Sequence, residues 1–146
     1  MNWTVRVRAD GRRRAVAYAR QHRFEVGAPV EFDREASAVS ALEYALVALA
    51  ADLVGTFQEH ARRSRVPVDA AEAVVTGALN NPLTVLRVVG EEGHPGLERV
   101  TLKLYVVSSA PPDDVRRVWD DARALSPLAR TLGTALDLDL ELAITP

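Results

Sequence analysis

Residues 40–53 read SALEYALVALAADL, and how such a stretch can be buried decides the fold. It is apolar almost all the way round a helix, with one carboxylate, Asp52, set deep in it. Steps of three and four residues place Ala38, Ala41, Ala45, Ala48, Asp52 and Gly55 on one stripe. The opposite stripe is Val39, Leu42, Leu46, Leu49 and Leu53. The large residues suit an ordinary core, and the small ones let another helix approach closely. A helix apolar on every side has to be covered on every side, which a small domain rarely manages alone. Cover is expected from a second helix and from a second subunit. The helix is expected over Ala38–Ser64, with Ser37 or Ser40 as its cap. Its polar end, QEHARRSR, places arginines where the helix dipole favours them, and Pro67 stops it.

The elements around this helix follow from pattern. Trp3, Val5 and Val7 alternate with polar residues, as in a half-buried strand, and Asp10-Gly11 reads as a two-residue hairpin turn. Arg13–Arg20 and Arg23–Val26 read as two further strands. After the helix, Val68–Leu79 reads as a strand, Asn80-Asn81-Pro82 breaks the chain, and Leu83–Val89 fits either a short helix or a strand. Val100, Leu102, Leu104 and Val106 alternate as a strand. Pro111-Pro112-Asp113-Asp114 opens a helix, and Ser126-Pro127 opens another with Ser as cap and Pro as first residue. The closing LDLDLELAIT is a strand of strict alternation. Consecutive strands before the long helix indicate an α+β fold with a mostly antiparallel sheet wrapped around a long central helix.

The chain has 146 residues, 48% of them hydrophobic, which suits a single domain over 1–146. A net charge of −2 gives no global basic field for nucleic acid or an anionic membrane. Cysteine is absent, which excludes disulfides, thiolate nucleophiles and Cys-ligated zinc. His22, His60 and His94 are scattered without metal-ligand spacing and read as surface residues, so neither metal nor cofactor is expected. The N-terminus lacks an apolar signal core, and no run approaches the roughly 20 apolar residues of a bilayer span. A soluble, cytoplasmic protein is expected.

FEVGAP, SALEYALVALAADL and LSPLARTL, in this order and spacing, resemble the OsmC/Ohr family. The local matches are Glu43 with the Ala/Leu pattern after it, and Ser126-Pro127 where that family has Cys-Pro. The resemblance implies an OsmC-like fold and an intertwined homodimer with the long helices of both subunits at its centre. It also implies a site, because the peroxidase members reduce organic hydroperoxides with one cysteine in the central helix and one in the Cys-Pro motif. Those positions are Asp52 and Ser126 here. The family's assisting glutamate falls at Leu42, next to Glu43, and Arg20 and Arg23 lie near the segment that supplies its activating arginine. With no thiolate, attack on a peroxide O–O bond is not available, so an active hydroperoxide reductase is not expected.

Asp52 is the residue that needs explaining, because a buried carboxylate is costly unless paired or hydrogen-bonded. One reading has it reach water or meet an arginine. Another makes it the polar group of a dimer-interface pocket for a small, partly apolar ligand, with Ser126 and Leu42 nearby, in an uncharacterised stress-related role. An alternative is a cysteine-independent enzyme using Asp52 as acid or base, against which Ser126 is already explained as a cap and Glu43 as a first-turn acid. The runs Arg12–Arg14 and Arg62-Arg63-Ser64-Arg65 read as solvated surface, and nucleic-acid binding is not expected.

Overall fold

The computed structural model describes residues 1–11 and 14–145. Arg12, Arg13 and Pro146 lie outside the described residues, and with them most of the Arg12–Arg14 run. The strands are β1 (Arg6–Ala9), β2 (Ala15–Ala19), β3 (His22–Val26), β4 (Ala70–Leu79), β5 (Leu97–Val107) and β6 (Asp137–Thr145). The helices are α1 (Ala41–Ser64), α2 (Pro112–Leu125) and α3 (Pro127–Leu132). Two compact units result, Met1–Ala45 and Leu46–Pro146, and the division falls within α1.

The first unit is an antiparallel meander in the order β1-β2-β3. The Asp10-Gly11 turn is wider than the two residues expected, since pairing ends at Ala9↔Ala15. Gly11 takes φ 59, and the Asp10 N–H donates across the loop to the Arg14 carbonyl at 3.0 Å. β1 departs from the half-buried strand expected. Trp3, Val5 and Val7 are 81%, 64% and 61% exposed, so the chain does not cover its apolar side. Gly27 lets the loop after β3 close on the approach to α1. Its N–H donates to the Val39 carbonyl at 2.7 Å, and a Cβ there would lie 2.9 Å from the Ala38 carbonyl oxygen. Tyr44 ties the same helix start to the meander by donating its hydroxyl to the Glu25 carbonyl at 2.9 Å.

Helix α1 starts at Ala41, three residues later than the pattern suggested, because Ser40 and not Ser37 caps it. The Glu43 N–H donates to Ser40 Oγ at 3.1 Å, and the Ser40 N–H donates back to Glu43 Oε2 at 2.7 Å. This reciprocal pair is a capping box, which satisfies two otherwise free donors of the first turn.

In the second unit β4 pairs antiparallel with β5, and β5 pairs parallel with β6. This sheet therefore has one antiparallel and one parallel pairing, and over both sheets three of the four pairings are antiparallel. α2 and α3 return the chain to the end of the sheet where β5 began, so β6 enters in the same direction as its neighbour. Leu138, Leu140, Leu142 and Ile144 face the core, while Asp137 and Glu141 pair across strands with Arg99 at 2.7 Å and Lys103 at 3.1 Å. Of the ambiguous segment Leu83–Val89, the start is a short 3₁₀ helix and the rest is turn, with no strand. The 3₁₀ helix, Pro82–Thr84, is started by Asn81 accepting from the Leu83 N–H at 2.9 Å.

Leu49, Leu53, Phe57 and Ala61 of α1 are buried against Val100, Leu102, Leu104 and Val106 of β5 and Val115, Val118, Trp119 and Ala122 of α2. Phe57 and Trp119 meet edge-on with ring centroids 6.4 Å apart. This covers one face of α1. Ala41, Ala45, Val47, Ala48, Ala51 and Gly55 remain exposed, so the small stripe is bare on the single chain. By length and composition α1 is also long and apolar enough to cross a membrane, contrary to the expectation from its sequence. Its buried face belongs to the core of the second unit.

Two outcomes follow from this packing. Phe57→Ala removes a fully buried ring and is expected to cost about 3–5 kcal/mol, measured by urea unfolding. The capping box carries a pH signature. The Ser40 N–H, and then its hydroxyl, hold the Glu43 carboxyl below its usual value. A lowered folded value means the contribution is complete above the unfolded carboxylate range and is lost as pH falls through the folded value. Wild type is expected to be more stable than Glu43→Gln at neutral pH, and the gap to close in acid below that value. A gap independent of pH in an unfolding series would contradict the box.

Candidate functional site

The site is built where α1 passes the corner between α2 and α3. Asp52 is half-buried, one residue before the fully buried Leu53. Ser126 is fully buried and serves both helices of the corner. Its N–H donates to the Ala122 carbonyl at 2.9 Å and closes α2. Its Oγ accepts from the Ala129 N–H at 3.0 Å and caps α3. The hydroxyl donates a hydrogen bond to Asp52, whose Oδ2 lies 2.5 Å from Ser126 Oγ. The Leu128 N–H donates to the same Oδ2 at 2.9 Å.

The local sequence explains this arrangement. Pro127 at the first position of α3 has no N–H, so Leu128 carries the first free backbone donor of that helix. A carboxylate is the natural partner for it, since the helix N-terminus favours negative charge. A hydroxyl donating to a carboxylate forms a short, charge-assisted bond of the length seen here. Among the described residues Asp52 Oδ1 accepts no hydrogen bond, and no Arg or Lys pairs with Asp52. The carboxylate is thus matched by a hydroxyl and an amide, not by the arginine that one reading of the sequence supplied.

The other candidates are placed individually in the first unit. Leu42 is half-buried in the first turn of α1. Glu43 is occupied by the capping box. Arg20 sits at φ 55 in the tight turn after β2, and Arg23 is exposed on β3. Leu128 was missed from the sequence, although Pro127 beside it was the available signal.

The chemistry open to this cluster is narrow. Ser126 donates its hydroxyl hydrogen bond to Asp52, accepts one from the Ala129 amide and is fully buried, so no substrate can reach it as a nucleophile on this chain. His22 and His94 are exposed, and none of the three histidines hydrogen-bonds to Asp52 or Ser126 among the described residues. Asp52 and Ser126 line none of five clefts of about 240–460 Å³ on this chain.

A meander, a long core helix and a three-stranded sheet closed by a helix pair define an α+β protein whose candidate site joins the long helix to the last helix. The OsmC-like protein family profile matches residues 34–141, and the chain belongs to that family. The fold is similar over its whole length to an OsmC-like protein from Mycoplasma pneumoniae, with TM-score 0.84, 17% identity, and 100% of this chain and 99% of that one covered. An OsmC-like protein of unknown function from Vibrio cholerae gives TM-score 0.77 at 14% identity, covering 98% of this chain and 99% of that one. The organic hydroperoxide resistance protein OhrB of Bacillus subtilis gives TM-score 0.65 at 15% identity, covering 98% of each chain. Among curated proteins none matches by sequence.

A double-mutant cycle on Asp52→Ala and Ser126→Ala tests the bond. Removing either partner is expected to cost about 1–3 kcal/mol, since a buried polar group loses its match. A coupling energy of about 1–3 kcal/mol is expected between the two, whereas additive effects would mean the bond carries no stability.

Proposed function

We propose that this chain is a cysteine-free OsmC-like homodimer that binds a small, partly apolar molecule beside Asp52 and does not reduce hydroperoxides. The observation that carries this reading is the division of labour at Asp52. One oxygen is saturated by Ser126 and Leu128, while the other has no partner among the described residues. Ala48, Ala51 and Gly55, within about a turn of Asp52 on the same helix, are exposed. A polar anchor beside small apolar residues is the makeup of a ligand site, and subunit interfaces commonly hold such sites.

Peroxide reduction of the thiol type needs a thiolate to attack the O–O bond and a second thiol to take up the oxidised sulfur. The chain has no cysteine to supply either. At the positions that the resemblance gives to the two cysteines, a hydrogen bond joins α1 to α3 instead. Dimerisation is supported by the bare small stripe of α1 and by the exposed Trp3, Val5 and Val7. A cytoplasmic, stress-related role is the natural extension of the likeness to a protein described as conferring organic hydroperoxide resistance. Nucleic acid finds little to hold in the second basic run, since Arg62 and Arg63 both bind Glu59, at 2.9 and 2.6 Å.

The test is thermal denaturation against a panel of small molecules, with sedimentation analysis for the dimer. A ligand of the folded state raises the melting temperature by mass action. The expected result is a dimer, a shift for wild type that Asp52→Ala loses, and no consumption of organic hydroperoxide with added thiol reductant. Shifts that survive Asp52→Ala, or turnover of hydroperoxide, would overturn the reading.

A further inference from the structure

We propose that one face of the β1-β2-β3 meander is a second surface, separate from Asp52, that binds single-stranded nucleic acid. The net charge of −2 averages two opposed regions. Residues 1–26 hold seven arginines against Asp10 and Glu25, a net charge of +5, which leaves −7 for residues 27–146. A polyanion responds to the local field, and at the meander that field is basic. The strand register gathers the charge on one face. Arg6, Tyr18 and Arg23 stand directly opposite one another across the three strands, and opposed residues share a face. The Arg6 guanidinium lies over the Tyr18 ring, 4.4 Å from its centroid. Arg8, two residues along β1, and Arg20, in the turn after β2, extend the patch. These four arginines are exposed, and Tyr18 is half-buried. Among the described residues none of the four is tied to an acid. Glu25, the one acid of the three strands, stands in the row of Arg8 and Val16 and leaves the Arg6–Tyr18–Arg23 row clear. Arg14 shares a cleft with Glu31 and is not counted in the patch.

An aromatic ring between two guanidiniums matches a nucleotide part by part. A base stacks on the ring or on the guanidinium plane laid over it, and stacking accepts any base. The guanidiniums take the phosphates on either side with forked donors that suit phosphate oxygens. Bases already stacked and paired in a duplex cannot lie on a flat sheet face, so the single strand is the form that fits. A lipid headgroup would use the arginines and leave the ring idle. No aromatic is interleaved with the basic runs of the sequence, which argued against such a role. The fold supplies one, because Tyr18 meets Arg6 and Arg23 from different strands.

The experiment follows the fluorescence anisotropy of a labelled oligothymidylate as the full chain is added, between about 50 and 200 mM salt. Arg6→Gln combined with Arg23→Gln removes both guanidiniums of the row at exposed positions, and Tyr18→Leu removes the ring. An abasic oligomer of the same length tests the ring on the wild type, which covers the case where Tyr18→Leu does not fold. The expected result is binding whose logarithm falls against log salt with a slope of about −2 to −3, the value for three or four phosphates. The paired arginine variant is expected to bind at least about tenfold more weakly, with a slope shallower by about 1.4. Tyr18→Leu and the abasic oligomer are each expected to lose at least about fivefold. No binding at about 50 mM salt overturns the proposal. Binding unchanged in the paired arginine variant overturns it too, because the strand then lies elsewhere. An abasic oligomer or a duplex bound as tightly as the oligothymidylate also overturns it, because the surface then senses phosphate charge alone.

Discussion

One carboxylate oxygen sets how α1 meets the α2–α3 corner in the second unit. Asp52 Oδ2 accepts hydrogen bonds from the Ser126 hydroxyl and the Leu128 amide, and so fastens α1 to the corner where α2 ends and α3 begins. Ser126 is buried completely, so its hydroxyl has no water to turn to. Losing the acceptor leaves a desolvated donor, a penalty of about 1–3 kcal/mol against a total stability of about 5–15 kcal/mol. The hydrophobic contacts of Leu53 and Phe57 supply more energy, but they are non-directional. The hydrogen bonds fix which turn of α1 faces the start of α3.

That constraint also limits the chemistry. A serine that caps a helix, donates to an acid and is closed to solvent has no free proton path and no exposed lone pair. The other oxygen of Asp52 has no partner among the described residues. In the family resemblance the same two positions belong to a pair of cysteines that react in turn. Here the positions hold an aspartate and a serine joined by one hydrogen bond, without electron transfer.

Much of this was legible in the sequence because it is local. The Ser40–Glu43 box, the Pro127 start of α3 with Ser126 as cap, and the alternation of LDLDLELAIT all depend on residues within a few positions of one another. What was missed is long-range. Ser126 and Asp52 are 74 residues apart; the family resemblance set them at one site, but no local pattern announced the bond between them. The parallel pairing of β6 depends on where α2 and α3 return the chain, not on the composition of the strand. The alternation of Trp3, Val5 and Val7 signalled a buried face correctly as chemistry, yet the single chain leaves that face open. Alternation reports that a face seeks cover and says nothing about which chain provides it.

The central claim, that Asp52 takes over the free donor of α3, can be read at one amide. Leu128 N–H precedes the first intrahelical partner of α3, and Asp52 Oδ2 is the acceptor the structure gives it. Amide hydrogen exchange resolved at Leu128 is therefore the most direct measurement. The account predicts slow exchange in the wild type and fast exchange in Asp52→Ala, with the amides of the α2 interior unchanged. Exchange at Leu128 as fast as in an open loop in the wild type would contradict it.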